Sequence, residues 1–253
     1  MTRPLALVTG GMRRLGAAIA GDLADAGYDL ALTSHGDGAP EAALAATLQH
    51  SAADWHYFPA DLSAEGVADR LMHEVVAHFG RAPDLLVNNA ALFGQDGWDS
   101  LSPDTLDAHF RLNLFAPVLL SRALVQAAGE TAQPAIVHIV DQRITNPNGD
   151  QLSYTLSKQA LAGSVRSLAA AFGHRARVNG VAPGLVIPTD DYDDALMARL
   201  NDEMPLGKLP EAQAIAEAVL YLAGARHVTG QILFVDGGAH LRSYRRDFMH
   251  LGK

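Results

Sequence analysis

Two side chains that can move a proton stand four residues apart in the sequence. Tyr154 and Lys158 would lie on the same face of a helix, one turn apart. A free tyrosine has a pKa of about 10, and a nearby ammonium group favours its phenolate form. The spacing therefore predicts that Lys158 lowers the pKa of Tyr154, which then protonates a hydride acceptor. An ordinary exposed pair on a helix surface is the alternative.

Asp141 and Phe93 are the other side chains that suit a substrate. Asp141 follows the apolar run 136–140, where a buried strand would meet a ligand. A carboxylate accepts hydrogen bonds, so it suits a substrate rich in N–H groups better than a simple carbonyl. The ring of Phe93 can stack on a flat substrate. The alternatives are a capping or surface aspartate and a loop phenylalanine that packs on the core.

Glycines and arginines lie together in the first turn between strand and helix. Gly10 and Gly16 would let the backbone approach a pyrophosphate, and the following helix offers N–H donors at its N-terminus. Arg13 and Arg14 can each pair with phosphate oxygens through two N–H groups. We therefore predict a dinucleotide site at this turn. A tightly packed turn with two solvated arginines is the alternative.

The end of the second predicted strand distinguishes between NAD and NADP. A carboxylate there would accept a hydrogen bond from a ribose 2′-hydroxyl and would repel a 2′-phosphate. The strand instead ends at Ser34 and His35, and the next acidic residue is Asp37. Because Ser34, His35 and Arg13 can all donate to a phosphate, the sequence favours NADPH.

The elements that must position these residues alternate between strand and helix. Short apolar runs indicate buried strands, and apolar residues at helical spacing indicate helices. The predicted strands are 5–8, 28–33, 55–58, 84–87, 135–140, 177–181 and 232–235. The predicted helices are 14–26, 42–49, 66–79, 105–128 (with Ser102 and Pro103 as cap and first turn), 152–172 and 211–223. This order predicts an α/β fold, a single-domain Rossmann-type doubly wound parallel sheet of about seven strands with helices on both faces.

One dinucleotide-binding domain is predicted over residues 1–240, followed by a C-terminal tail over 241–253. Residues 186–210 form the least regular stretch and are predicted to be a substrate lid. The tail is predicted to be either a solvated end or a contact with a neighbouring subunit. A helix N-terminus explains the acidic cluster of the lid more simply than a cation site does. The cluster consists of Asp190, Asp191, Asp193 and Asp194.

The composition excludes several classes of protein. The chain has 253 residues, no cysteine and a net charge of −9. The charge opposes general binding to nucleic acid or to anionic membranes. Without cysteine there is no disulfide, thiolate zinc site or cysteine nucleophile, and the histidines lack metal-ligand spacing, so no metal is expected. With no long apolar stretch and no charged leader segment, we expect a cytoplasmic protein without a membrane span or signal peptide.

The motifs, in this order, resemble the short-chain dehydrogenase/reductase family from Leu5 to about Gly238. The matching segments are Thr9-Gly10 with Gly16, Asp61-Leu62, Asn88-Asn89-Ala90, Asn113, Tyr154 with Lys158, Arg177-Val178-Asn179 with Pro183-Gly184, and Asp236-Gly237-Gly238. The resemblance implies that Asp61 and Leu62 contact the adenine and that Lys158 binds the nicotinamide ribose. It also implies that Asn113 opens its helix locally and orders a water on the proton path. Together, motif and resemblance give as cofactor-binding residues Gly10, Arg13, Arg14, Leu15, Gly16, Ser34, His35, Asp61, Leu62, Asn89, Ala90, Tyr154, Lys158, Pro183 and Gly184.

Two departures from the general family pattern narrow the resemblance. Arg14 stands where many members carry a glycine, and Asp141 stands where most carry a catalytic serine. With Phe93, both resemble the pteridine reductase and dihydromonapterin reductase branch, which uses NADPH to reduce pterins or dihydrofolate. Ala91 and Gly36 differ from a serine and an arginine common in that branch.

The narrowed resemblance implies an NADPH-dependent pterin or dihydrofolate reductase. Its catalytic residues would be Tyr154, Lys158, Asp141 and Asn113, and its substrate contacts Arg14, Phe93, Asp141 and Tyr154. The alternatives are a carbonyl reductase or alcohol dehydrogenase of the same family, acting on an oxoacyl or other carbonyl substrate, and a non-catalytic dinucleotide-binding regulator. The resemblance also implies a homotetramer, joined through the helices around Asn113 and Tyr154, with a small-molecule substrate as its ligand.

Overall fold

The computed structural model describes residues 2–36, 38–188 and 192–250. Its strands are β1 (Leu5–Thr9), β2 (Asp29–Ser34), β3 (Trp55–Pro59), β4 (Leu85–Asn88), β5 (Ala135–Ile139), β6 (Arg177–Pro183) and β7 (Ile232–Val235). Among the described residues they form one seven-stranded sheet in the order β3-β2-β1-β4-β5-β6-β7. Every neighbouring pair is parallel, which confirms the predicted sheet.

Helices cover both faces of the sheet. They are α1 (Arg14–Asp25), α2 (Ala42–His50), α3 (Val67–Phe79), α4 (Pro103–Phe110), α5 (Ala116–Ala128), α6 (Leu152–Phe172), α7 (Asp194–Glu203) and α8 (Ala212–Gly224). One core lies between the sheet and α1, α2 and α8, and the other between the sheet and α3, α5 and α6. The predicted elements lie within two residues of these bounds, except that the predicted helix 105–128 is interrupted and that α7 was not predicted.

The continuous apolar runs of the strands supply side chains to both cores. In β1, Leu5 and Leu7 belong to the core beneath α3 and α5, whereas Ala6 and Val8 belong to the core beneath α1 and α8. Successive side chains of a strand point to opposite faces, so only an uninterrupted apolar run can fill both. The chain leaves β1 towards β2 on one side and returns to β4 on the other, which leaves a crevice beyond the carboxyl ends of these strands.

The predicted helix 105–128 is interrupted in the structure. The first part, α4, begins at Pro103 with Ser102 as its cap, as predicted, and ends at Phe110. Arg111–Phe115 then form a turn of π-helix with Asn113 at its centre, and α5 begins at Ala116. The prediction of one continuous helix is therefore wrong here. The local opening at Asn113 that the family resemblance implied is present, and such π turns are frequent at functional sites.

The predicted lid, residues 186–210, contains a regular helix. Asp193 caps α7 by accepting a hydrogen bond from the Leu196 backbone N–H at 2.7 Å. This confirms a helix N-terminus as the explanation for Asp193 and Asp194. The predictions for Asp190, Asp191 and Asp37 fall on positions outside the described residues. In the described part of the chain, no cluster of three or more His, Asp or Glu side chains could hold a metal ion.

The C-terminal segment, residues 244–250, folds back onto its own chain. Asp247 and Phe248 are 2% and 6% exposed, and Phe248 packs against Leu196 and Leu200 of α7. The alternative of a solvated tail is therefore wrong for these two residues, because the core under α7 needs an apolar side chain from this segment. None of the described helices is both long and apolar enough to cross a membrane.

Candidate active site

A cavity of about 720 Å³ opens at the carboxyl ends of β1 to β6, a volume typical of a small-molecule site. Of the predicted site residues, only Asn113 does not line it. The others do: Gly10, Arg13, Arg14, Leu15, Gly16, Ser34, His35, Asp61, Leu62, Asn89, Ala90, Phe93, Asp141, Tyr154, Lys158, Pro183 and Gly184.

The turn after β1 is closely packed around its glycines. Gly10 has a φ of +63°, in the left-handed region that favours glycine. A Cβ atom on Gly16 would lie 2.0 Å from the Gly10 carbonyl oxygen and 2.6 Å from Asn89 Nδ2. Asn89 fastens this turn to the end of β4, because its Nδ2 donates to the Thr9 carbonyl oxygen at 2.9 Å. The backbone is thus fixed where a phosphate would approach.

Arg14 begins α1 with a backbone conformation that is uncommon for a side chain. Its φ is +55°, a left-handed value that costs about 1 kcal/mol outside glycine. This conformation suits the glycine that the family resemblance gives for the corresponding position. Two hydrogen bonds hold Arg14 in place: its backbone N–H donates to Glu41 Oε2 at 2.8 Å, and its Nη2 donates to the Ile187 carbonyl oxygen at 3.3 Å.

The ends of β2 and β3 lie on the far side of this turn. Ser34 Oγ accepts a hydrogen bond from the Gly36 N–H at 3.3 Å, and His35 beside it is exposed. Asp61 lies after β3, where Ser63 donates to it from both its hydroxyl group and its backbone N–H. These two bonds lower the pKa of Asp61, so its carboxylate stays ionised.

Tyr154, Asp141 and Lys158 come together at the other end of the cavity. The Tyr154 hydroxyl donates to Asp141 Oδ2 at 2.8 Å, and the backbone N–H of Arg143 donates to Asp141 Oδ1 at 2.8 Å. Lys158 Nζ donates to the Ile139 carbonyl oxygen at 2.7 Å and lies 5.7 Å from the centroid of the Tyr154 ring. The helix α6 thus presents both side chains to the end of β5, as the spacing predicted.

The pKa of Tyr154 is shifted in the direction opposite to the one that the sequence predicted. Burial and the carboxylate charge of Asp141 raise it well above its ordinary value of 10.0. The expectation that Lys158 lowers this pKa is therefore wrong, because Asp141 bonds directly to the hydroxyl, whereas Lys158 bonds to Ile139. Burial in turn lowers the pKa of Lys158 to about 8, against the opposing effect of Asp141.

Asn113 holds the loop after β4 against α6 through three hydrogen bonds. Its Oδ1 accepts from the Leu92 N–H at 2.7 Å, and its Nδ2 donates to the Leu92 carbonyl oxygen and to Ser157 Oγ, each at 2.9 Å. The π turn thereby joins the loop after β4 to α6. Every polar atom of the side chain has a protein partner, which agrees with the simpler interpretation of Asn113 as a buried asparagine that satisfies backbone groups.

The arrangement of sheet, glycine turn and Tyr-Lys helix is shared with known proteins. A family model described as enoyl-(acyl carrier protein) reductase matches residues 10–240. The chain belongs to the short-chain dehydrogenase/reductase family. Among solved structures of this family, the FolM alternative dihydrofolate reductase 1 from Brucella suis, in complex with NADP, is 34% identical. It has a TM-score of 0.85, over 97% of this chain and 98% of that one.

The curated relatives of this short-chain dehydrogenase/reductase include both a pteridine reductase and 3-oxoacyl reductases. Pteridine reductase 1 of Leishmania tarentolae is 31% identical, over 95% of this chain and 97% of the relative. The 3-oxoacyl-[acyl-carrier-protein] reductase of Homo sapiens is 32% identical, over 92% of this chain and 97% of the relative. Family membership therefore leaves the substrate open between a pterin-like ring and a carbonyl compound.

The cavity of this family member also has walls that the sequence analysis did not identify. Among those residues are Gln95, Arg143, Tyr192, Asp247, Phe248 and Met249. Arg143 could have been found, because it follows Asp141 by two residues at the end of an apolar strand. Asp247 carries no comparable local pattern, since it lies beyond the last strand and reaches the cavity only through the fold of the C-terminal segment.

A buried histidine lies beneath the same end of the cavity. His138 in β5 is fully buried, and Asn88 Nδ2 lies 3.1 Å from its Nδ1. Burial and the nearby charge of Lys158 lower the pKa of His138 from its ordinary value of 6.5 to about 3. The ring is therefore neutral at physiological pH, and protonating it would destabilise the folded state.

Proposed function

We propose that this family member is an NADPH-dependent reductase that transfers a hydride to a pterin or dihydrofolate-like substrate. One observation carries the proposal: the phenol of Tyr154 donates to the carboxylate of Asp141, at the position where most of the family carries a serine. This pair gives the site a strong acceptor beside its acid, and the choice of substrate follows from that chemistry.

The glycine turn fits the phosphates of a dinucleotide. Gly10 and Gly16 let the turn pack closely against Asn89, where a Cβ atom at either position would collide with or press on that side chain, and Arg13 and Arg14 supply cationic groups at the same turn. The end of β2 offers Ser34 and His35, which suits the 2′-phosphate of NADPH. When bound, NADPH supplies the hydride. The NADP in the Brucella relative supports the same choice here.

Tyr154 is placed to hold and deliver the proton that must accompany the hydride. Its raised pKa keeps the phenol protonated at neutral pH, so the proton is available for transfer. Lys158, with its ammonium group fixed by Ile139, is expected to bind the nicotinamide ribose. As negative charge develops on Tyr154 during transfer, the Lys158 ammonium stabilises it.

Asp141 favours a substrate with N–H groups. Asp141 accepts a hydrogen bond from the Tyr154 hydroxyl, so the phenol can turn to the substrate only if another donor replaces it. An amino or ring N–H group of a pterin is such a donor, whereas a simple carbonyl compound offers none. Phe93 contacts the Tyr154 ring edge-to-face at 4.8 Å and is 47% exposed, which leaves a ring surface for stacking on a flat substrate.

A carbonyl reductase acting on an oxoacyl substrate is the second candidate. The human 3-oxoacyl reductase is as similar to this chain as the pteridine reductase is, and Tyr154 and Lys158 suit either reaction. The two candidates differ in what they need from Asp141. A ketone needs a second donor, which serine supplies and an ionised carboxylate does not.

A screen of NADPH oxidation tests the proposal. The substrates are dihydrobiopterin, dihydromonapterin and dihydrofolate, set against a panel of ketones and oxoacyl thioesters. We expect turnover of at least one pterin or folate, and we expect Asp141→Ser to lose most of it. Turnover confined to carbonyl compounds, preserved or raised by Asp141→Ser, would support the second candidate instead. Cofactor binding without any turnover would support a non-catalytic regulator.

We propose that residues 186–210 act as a lid within one domain over 1–240, and that the protein is cytoplasmic. We also propose a homotetramer joined through the helices around Asn113 and Tyr154, where Phe115, Leu119 and Leu156 expose apolar side chains. Light scattering after size exclusion tests the assembly, and a monomer at micromolar concentration would contradict it.

A further inference from the structure

A guanidinium group is enclosed between two carboxylates at the wall of the cavity. The Arg143 side chain is 11% exposed; its Nη2 donates to Asp247 Oδ2, and its Nε lies 4.0 Å from Asp141 Oδ1. Its Nη1 donates to Gln151 Oε1 at 2.7 Å. The same guanidinium lies 5.7 Å from the centroid of the Phe93 ring and 5.9 Å from that of Tyr154. Arg143 therefore lies near three of the four groups that we assign to the substrate, namely Phe93, Asp141 and Tyr154.

The backbone of Arg143 fixes the direction of the Asp141 carboxylate. The Arg143 N–H donates to one carboxylate oxygen and the Tyr154 hydroxyl to the other. Asp141 can therefore face Tyr154 only while the backbone of residue 143 keeps its position. That position depends on the anchored side chain, because residues 142–144 form only a single 3-10 turn.

Asp247 anchors Arg143 from a distant part of the chain. Its Oδ1 accepts from the Tyr192 hydroxyl at 3.2 Å and from the Met249 N–H at 3.0 Å. Its own backbone N–H donates to Asp150 Oδ2 at 2.7 Å. The side chain of Asp247 is 3% exposed. Because these hydrogen bonds fix it, it cannot follow Arg143 if the guanidinium moves.

Stability alone does not explain this pair. Two buried opposite charges lose about as much free energy by desolvation as their attraction returns, and apolar side chains of similar volume often serve equally well. A fixed charge beside Asp141 has a use only if the direction and environment of that carboxylate matter. We propose that Arg143 is a positioning residue for the Asp141–Tyr154 pair, and that Asp247 of the C-terminal segment holds it in place. The role rests on the proposed reductase function.

The double variant Arg143→Met with Asp247→Asn separates positioning from folding. Arg143→Met alone would leave Asp247 buried without its cation and should lower the Tm strongly. The double variant removes both charges, so its Tm should recover towards that of the parent. A structural role predicts that kcat recovers with it. A positioning role predicts that kcat stays on the order of tenfold to a hundredfold below the parent, while the Kd for NADPH is unchanged.

Two further variants complete the comparison. Arg143→Lys keeps the cation and the ion pair but loses the second guanidinium nitrogen, which donates to Gln151. Its kcat should therefore fall between those of the parent and the double variant. Arg245→Gln removes an exposed arginine of the same segment and should match the parent throughout. Each kcat is measured on the substrate that the parent turns over best in the screen. If the pterin assignment is wrong, the parent itself shows it in the screen, and the variants still test the role of Arg143.

A crystal structure of the double variant gives a readout that needs no substrate. We expect the Asp141 carboxylate to have turned, with loss of its 2.8 Å contact to the Tyr154 hydroxyl. An unchanged contact, or a kcat within twofold of the parent in the folded double variant, would overturn the proposal.

Discussion

The two ends of the cavity are built in different ways. The glycine side is lined by Gly10, Gly16, Ser34 and Asn89. It consists of a backbone turn that packs against Asn89, and of side chains that reach solvent. The charged side consists of buried ionisable groups that bond to one another, namely Asp141, Arg143, Tyr154, Lys158 and Asp247.

This difference determines what a substitution should do on each side. On the glycine side the wall is backbone, so added atoms collide and the expected loss is in cofactor affinity. On the charged side the groups act through charge and direction, so the expected loss is in the rate. His138, buried beneath these groups, makes stability depend on pH. Four substitutions test this division.

Tyr154→Phe should have the largest effect. It removes the hydroxyl while keeping the ring beside Phe93, so kcat should fall by about 10²–10⁴-fold, the usual contribution of a placed acid. The Kd for NADPH, from titration of cofactor fluorescence, should stay within a few-fold of the parent. The control is Tyr221→Phe, which changes an exposed tyrosine of α8. Equal losses in kcat and in NADPH affinity would contradict the division.

Gly16→Ala should chiefly affect cofactor affinity. The new Cβ atom would stand 2.0 Å from the Gly10 carbonyl oxygen, and moving that turn costs about 3 kcal/mol, on the order of a hundredfold in the Kd for NADPH. Gly163→Ala is the matched control, because a Cβ atom at that exposed position of α6 meets nothing within 4 Å. If both variants bind NADPH like the parent, the glycine turn does not hold the cofactor.

His138→Gln should change the pH dependence of stability. The folded-state pKa of His138 is about 3 and its ordinary value is 6.5, so the unfolded chain binds a proton more readily as the pH falls below 6.5. The parent should therefore lose about 2 kcal/mol more unfolding free energy between pH 7 and pH 5 than the variant does.

The control for this experiment is the histidine of the opposite side. His35 is exposed on the glycine side, so His35→Gln should leave the loss between pH 7 and pH 5 as in the parent. Urea unfolding at both pH values measures the difference. Parallel losses in the parent and His138→Gln would show that His138 does not carry the effect.

Ser34→Asp should have the smallest effect. It places a carboxylate at the end of β2, which would repel a 2′-phosphate and accept from a ribose hydroxyl. The Kd for NADPH should rise about tenfold, about 1.4 kcal/mol, while the Kd for NADH should not. Ser34→Asn, of the same size but without charge, should keep the preference of the parent. An unchanged ratio in Ser34→Asp would place the 2′-phosphate elsewhere.

Most of the fold and most of the cavity lining could be predicted from the sequence. The strand β1 could be found because an apolar run without polar breaks has few other uses than a strand buried on both faces. Tyr154 and Lys158 share a face because a helix repeats every 3.6 residues, and Gly10 and Gly16 bound a turn that admits little else. The break at Asn113 could not be found from periodicity, since Leu112 and Leu114 continue an apolar pattern on either side of it.

The sequence alone determined which residues stand at the carboxyl ends of the strands, because this depends on local periodicity and on the order of the elements. The tertiary structure decided which groups act on one another. Arg143 and Asp247 form an ion pair although they are 104 residues apart in sequence. The pKa of Tyr154 is set by burial and by Asp141 rather than by the charge of Lys158. The strength and sign of an electrostatic effect depend on distance and on access to water, and both are set only when the chain has folded.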